Sequence, residues 1–522
     1  MKRLKHFEPL TEAETALLKG QVTGNRIGLG DGGLPDIGSD STEIRSEFLR
    51  ILLLDLDSDV QLHPSGLKIR GAVISGQLDL RGCAISADIS FMNCLFEKPI
   101  NLINTRLRGL HLNGCMMPGF QADQAVFDGP LYIRAGCHFS GELSLPSVVI
   151  NGDFQLCSVE IEPDTGAAVF ANGLTVRGSV FLGNYPYSTT ETDLIAHAPI
   201  YMASIYVDRD FYLDRAALTG VKNVVSAPKI DAIETGSVAA FSLTRSRIGG
   251  LFFAKSLQVS GGIVNLSGVT VKRLNDEPAL EDSIYRLRLD GFQYEAFAQH
   301  TDISVGARLH WLGRRPEDIG FSAQPYEHLA RVYEQLGHRD DSDRVRMAKE
   351  ELQRRDDIAI RLQQGARIRA GMLWIARILL KFFVGYGYRP VYALAWAMAL
   401  ILVIGFFFQK TWQAGDMTPN SAPILISKDW ISATKFAAEN PGAYWSSRGQ
   451  AGQDYETFNA FAYAADLMIP IVNLGQEDAW APSTTRSWWG RQGWWIRWVA
   501  KVLGWVFTAL GAAAVTGMIR RS

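Results

Sequence analysis

The chain has 522 residues and carries 52 Lys and Arg against 54 Asp and Glu. That near balance excludes a polycation built to hold nucleic acid, and the length accommodates two to four domains. The composition is split along the chain: the first 360 residues read as soluble, whereas ten of the 13 Trp lie after position 400, as expected where aromatic belts meet a bilayer.

The N-terminus, "MKRLKHFEPLTEAETALLKG", lacks the apolar core and small-residue cleavage site of a secretory signal. A reducing cytosol is therefore expected for the five Cys, with no disulfides. Thr11-Glu12-Ala13-Glu14 predicts a capping box and a first helix. "DSTEIRSEFLRILLLD" (40–55) predicts a second, capped by Asp40 or Ser41, with Ile44, Phe48, Leu49, Leu52 and Leu53 on one face. Together, residues 1–59 are expected to cap the open end of a repeat region that begins near residue 60.

That short repeat runs from about 60 to 278. "SGQLDLRGCAI", "SADISFMNCLF", "EKPINLINTRL" and "SGELSLPSVVI" each hold two apolar triplets separated by polar or Gly punctuation. Short strands at a fixed short period are the signature of a solenoid, whose turns bury their faces only by stacking. Irregular stretches near 183–198 and 220–237 are expected to bulge as loops. Cys83, Cys94, Cys115 and Cys137 recur in the repeat and read as an inward stack of small apolar side chains. Between 60 and 275 there are 17 acidic and 17 basic residues, so this rod does not imitate the phosphates of DNA.

Residues 279–364 change to a helical period. "QPYEHLARVYEQLGHRDDSDRVRMAKEELQRR" predicts two helices joined at Gly337, with Tyr326, Leu329, Ala330 and Tyr333 on one face and Val345, Ala348 and Leu352 on the other. This reads as an adaptor with one tetratricopeptide-like hairpin. Residues 365–390 are basic and amphipathic. Arg367, Arg369, Arg377, Lys381 and Arg389 are expected to contact anionic lipid headgroups, while Met372, Leu373, Ile375, Ala376, Leu379, Leu380 and Phe383 gather on the apolar side.

"VYALAWAMALILVIGFFF" (391–408) is uncharged and long enough to span a bilayer, and 494–519 predicts a second span. Arg497 and Lys501 are expected to snorkel at its start. Gly504, Gly511, Ala513 and Gly517 are small enough to let another helix approach. Basic flanks before the first span and after the second put both termini in the cytoplasm and the loop 409–493 outside. Within that loop, 458–470 predicts a short helix that is too brief for a third span, with Asp466 in its middle. Asp466, Pro470, Asn473, Gly475 and Gln476 are the candidate functional residues. They would belong either to a pore-loop-like turn or to a structural or interfacial helix, resting on the outer leaflet or packed within the loop, with Asp466 facing solvent or the rim. Asp454, Glu456, Asp466, Glu477 and Asp478 form a loose acidic group. No GxGxxG, P-loop, HExxH or GxSxG motif is present in the sequence, so no catalytic residue, cofactor or metal ligand is assigned.

The stacked triplets resemble pentapeptide-repeat proteins. "LDGFQYEAF", "RLHWLGRRP", "GYGYRP" and "PIVNLGQEDAWAP" resemble a bacterial family of solenoid membrane proteins with two C-terminal transmembrane helices, sometimes loosely named membrane-associated oxidoreductase. The resemblance implies an architecture: a right-handed β-solenoid, then an α-helical adaptor and an α-helical membrane domain. It also implies the bacterial inner membrane as location. The expected function is non-enzymatic, an assembly or partner-binding module. The expected partners are the bilayer, further copies of the chain and an unknown protein on the solenoid, and nucleic acid is not among them. An oligomeric ion channel and an oxidoreductase are the alternatives.

Overall fold

The structure is a computed structural model, and it describes residues 4–36, 39–56, 61–220, 239–277, 285–316, 320–389 and 391–515. It divides into two compact units, Met1–Arg346 and Met347–Ser522.

Helix α1 (Glu12–Gln21) begins with the capping box: the Thr11 hydroxyl accepts from the Glu14 amide at 3.0 Å, and Glu14 accepts from the Thr11 amide at 3.2 Å. Glu14 is fully buried and pairs with Arg45 at 2.5 Å. The second helix departs from expectation. Glu43–Arg45 is a strand paired in parallel with Val73–Ser75, and α2 runs only from Ser46 to Leu53. Ile44 therefore points into the core from a strand, and neither Asp40 nor Ser41 caps the helix. The exposed first edge of the β structure takes up this backbone, as in the bond from the Val73 amide to the Thr42 carbonyl, and ladder bonding outweighs helical periodicity.

The rest of the first unit is a large β region. Every pairing within its 22-stranded and eight-stranded sheets is parallel. Its core consists of residues stacked at the same register position. In the smaller sheet Ile100, Phe120, Leu143, Val169, Ile200, Phe241, Val264 and Leu287 succeed one another across the strands, all buried. In the larger sheet Leu67, Ile89, Leu110, Leu131, Phe154, Val180, Phe211, Phe252 and Leu274 do the same. One turn recurs after each strand of the smaller sheet. Asn104, Gln124, Ser147, Ser204 and Arg245 all hold φ between 55° and 58°. The Asn104 amide donates to the Asp123 carbonyl, and the Gln124 amide to that of Pro146. The left-handed conformation is thus imposed on non-glycine residues because it aims the amide at the next turn of chain.

Cys94, Cys115, Cys137 and Cys157 are buried, and the Cys115 amide donates to the Cys137 thiol at 3.4 Å. Cys83 is half-exposed, so it does not join the expected stack; Cys157 is buried instead. Burial pushes the Cys157 thiol up to about 12, where it is an inert apolar side chain. Of the two expected loops, 184–193 leaves the ladder and the chain re-enters it at Leu194–Ala196. The stretch 221–238 lies outside the described residues.

At the far end of this unit lie α3 (Val305–Gly313), α4 (Gln324–Gln335) and the start of α5 (Arg339–Gln363). Tyr326, Leu329, Ala330 and Tyr333 are buried on one face of α4, Val345 is buried in α5, and Gly337 turns between them at φ +85°. The Tyr294 amide lies 2.9 Å from His328 Nε2. Arg308, with no exposure, pairs with Asp276 at 2.8 Å, and burial pushes the Asp276 carboxyl up despite that partner.

The second unit holds α6 (Arg367–Val384), α7 (Val391–Gln413) and α10 (Trp488–Val515), with α8 (Ala460–Met468) and α9 (Gln476–Ala479) between the last two. Helices α7 and α10 are long and apolar enough to cross a membrane. Both exceed the expected spans, α7 by continuing to Gln413 and α10 by starting at Trp488. Asp416 explains the early start: it is almost fully buried, and its carboxylate accepts from the Ser487 amide at 3.2 Å and the Gly490 amide at 2.7 Å. That carboxylate satisfies amides at the head of α10, and negative charge is favourable there. Beside it, Met417–Pro419 and Trp480–Pro482 form an antiparallel pair.

Candidate functional site

The candidate residues of 458–476 form a hairpin laid against both long helices. Asn459 caps α8 by accepting from the Phe461 and Ala462 amides. Close approach to the long helices depends on two glycines. A Cβ on Gly405 of α7 would fall 2.4 Å from the Phe461 ring, and one on Gly504 of α10 would fall 2.5 Å from the Met468 carbonyl. The chain then breaks at Pro470, turns, and starts α9 at Gly475, which holds φ +76°. Ile471 is 82 % exposed at the tip.

Asp466 faces the hairpin's own turn and the rim of a cleft rather than open solvent. It is 9 % exposed, and its two oxygens accept from the Leu474 amide at 2.8 Å and the Glu477 amide at 2.9 Å. One carboxylate thereby closes the turn and caps α9. Asn473 adds a second brace, accepting from the Gly475 amide at 2.7 Å and donating to Asp478 at 3.0 Å. Gln476 is buried and directs its side chain back to the start of α8: it accepts from the Asn459 amide at 2.9 Å and donates to Glu456 at 2.8 Å.

Of the acidic group expected in the loop, Asp466, Glu477 and Asp478 line one cleft, and each is held by its own partner. Glu456 receives Gln476, Asp478 receives Asn473, and Glu477 receives Arg497 at 2.8 Å together with Lys501. Arg497 and Lys501 therefore engage a carboxylate rather than simply snorkelling, because a partner stands within reach. A cleft of about 230 Å³ opens here, between Asp466, Pro470, Asn473 and Asp478 on one side and Lys501 and Trp505 on the other. Tyr463 is fully buried behind it, and burial pushes its hydroxyl well up. Gly511 lines a separate apolar groove, Ala513 is half-exposed, and Gly517 lies outside the described residues. Glu477 and Lys501, which line the cleft, and Arg497, which pairs with Glu477 outside the lining, carry no motif spacing.

On α6 the apolar side divides. Leu380 and Phe383 pack inward, whereas Ile368, Met372, Ile375 and Leu379 are exposed. Arg367 and Arg369 are exposed as well. Lys381, expected at headgroups, is bound to Glu351 at 2.8 Å, and Arg389 lies 6.0 Å from the Tyr392 ring.

The β region offers one lateral feature that triplet reading missed. His111, Tyr132, Gln155, Phe181, Tyr212 and Phe253 occupy successive rungs of one register position. Phe181 stacks on Tyr212 at 5.0 Å, Tyr132 meets His111 edge-on at 5.1 Å, and Tyr185 covers Phe181 from the adjoining loop. Elsewhere on its surface Glu160, Glu162 and His197 converge within 4.8 Å, with His197 already 3.0 Å from Glu160.

Comparisons with family models, with curated proteins and with solved structures return no match.

Proposed function

We propose that this chain is a non-enzymatic protein of the bacterial inner membrane. In this reading a cytoplasmic right-handed β-solenoid, akin to pentapeptide-repeat proteins, presents a lateral face to protein partners, and the C-terminal unit anchors it. The observation that carries the anchoring is the outward apolar cover of α6 and α7: Ile368 is 82 % exposed, Val391 69 % and Leu394 67 %. Such surface is costly in water and favourable in hydrocarbon. The exposed basic residues Arg367 and Arg369 beside it suit an anionic leaflet. The parallel ladders, helices at both ends and the half-buried aromatic side chains of His111, Tyr132, Tyr212 and Phe253 support a rod with a binding face.

The test is topological. Reporter fusions at Ser446 and at the C-terminus should give opposite signals, and the protein should resist alkaline extraction from membranes. Like signals, or release by alkali, would overturn the anchoring.

The hairpin favours a second reading, an oligomeric pore, because it combines a short helix, a tight turn and a polar cleft between two spans. Liposomes carrying the protein would then conduct, and Asp466→Ala or Gly475→Leu would abolish the current. Electrically silent liposomes would remove this reading and leave the scaffold.

A further inference from the structure

Two cavities of the C-terminal unit lie end to end. The cleft at the hairpin is polar. The second, a groove of about 640 Å³, runs between α7 and α10 and is lined by Ala393, Ala397, Met398, Phe507 and Gly511. Met468 closes the groove and its neighbour Leu467 lines the cleft, so the tip of α8 is their common wall. On α10 the cleft takes Lys501 and Trp505, and the groove takes Thr508 and Ala512. Steps of four, three and four residues place these on one helical face. The two cavities therefore adjoin along one face of α10, a track charged at one end and hydrocarbon-like at the other.

Size and charge select the occupant. From Val391 to Ile401 the groove runs along α7 for about 15 Å, so its mean cross-section is about 40 Å². Hydrocarbon chains fit a groove of that section. Lys501 is the cation of the cleft's α10 wall, and Glu477, which it meets, is also paired with Arg497 outside the lining. Asp466 and Asp478 stand on the hairpin side. A purely anionic or purely cationic head would leave one wall unmatched, and charges at this depth are costly when unmatched.

We propose that the track seats one zwitterionic aminophospholipid of the bilayer, its phosphate toward Lys501, its ammonium toward Asp478 and Asp466, and its acyl tail in the groove. This rests on the membrane-anchored reading. A lipid so placed would brace the hairpin against both spans.

The full-length protein is placed in vesicles of phosphatidylethanolamine and phosphatidylglycerol, with a trace of either lipid carrying a photoreactive group in its tail. Label should concentrate on peptides bearing Met398, Thr508 and Ala512, and the ethanolamine lipid should label about tenfold more than the glycerol lipid. A side chain on Gly511 meets no protein atom within 4 Å, so Gly511→Phe fills the groove without a clash and should lower labelling about tenfold. Val403→Phe, at an exposed position of α7 outside the groove, should leave it unchanged. Lys501→Gln with Asp478→Asn should erase the headgroup preference. Label spread evenly over α7 and α10, equal labelling by both lipids, undiminished labelling of Gly511→Phe, or crosslinks between two chains at Gly511 would each overturn the proposal. Alkaline extraction of the same vesicles separates the two failures: release of the protein rejects the anchoring itself, whereas retention with unfocused label rejects only the lipid seat.

Discussion

In the parallel β region Phe120, Phe127 and Phe154 are fully buried, whereas in the C-terminal unit Leu394, Val403 and Phe406 are 67, 65 and 63 % exposed. The residue types are the same and their disposition is opposite. In a strand the two-residue period sends alternate side chains inward, so each ladder needs only one apolar face. Helix α7 is apolar all round, and a helix of that kind suits a surrounding that is itself apolar. Charge obeys the same division. The β region wears its ions outside, as in Arg106 with Asp128 at 2.9 Å, where a pair contributes little. Each unit nevertheless encloses a costly ionic group: Arg308 with Asp276 in the first, and Glu477 with Arg497 and Lys501 in the second.

That parallel can be broken at four points. The largest effect is expected from Asp276→Ala, which strands the fully buried Arg308 and should cost ~3–5 kcal/mol. Thermal unfolding and hydrogen exchange in the last β ladders would register it; an unchanged midpoint would mean that the guanidinium finds water. Glu477→Ala releases two cations beside α10 and should cost about 3 kcal/mol, less than the first because Lys501 is 37 % exposed. Melting of the detergent-solubilised protein measures it, and Glu477→Gln should recover part of the loss. Gly504→Val drives a side chain into the Met468 carbonyl and should cost ~1–3 kcal/mol, read as lost exchange protection at Leu474 and Glu477. The equivalent change at Gly511 should be nearly neutral.

The smallest effect is pH-dependent and confined to the first unit. Burial lowers His328 and His111 from their ordinary value. The unfolded chain therefore binds a proton at each before the folded chain does, so stability falls as pH drops below about 6.5 toward the lowered values. Protection of the Tyr294 amide, held against His328 and measured relative to intrinsic exchange, should fall between about pH 7.5 and 5.5. His328→Gln should flatten that response, and a pH response that survives both histidine replacements would point to carboxylates instead.

How much could be read beforehand differs between the two units for physical reasons. The repeating triplets, the capping box at Thr11, the α4 face from Tyr326 to Tyr333 and the run 391–408 depend on local periodicity, and periodicity is written along the chain. The strand at Glu43–Arg45 is not, because its partner Val73–Ser75 supplies the bonds that override a helical pattern. The cysteine column ends for a similar reason: the ladder shifts register between Arg134 and Cys137, so Val159 rather than Cys157 pairs with Cys137, and no spacing announces that shift.

By itself the sequence determined that strands would stack, that the last third would carry two long apolar helices, and that Asp466 and Pro470 would interrupt a short one between them. Those are consequences of side-chain period, length and charge. Only tertiary structure decided what Asp466 does. Its oxygens meet the Leu474 and Glu477 amides because the chain folds back at Pro470, and Glu477 is thereby turned to Arg497 and Lys501 on a helix twenty residues onward. The cost of leaving those charges unmatched holds the hairpin where it lies, and that cost arises only once burial has brought them together.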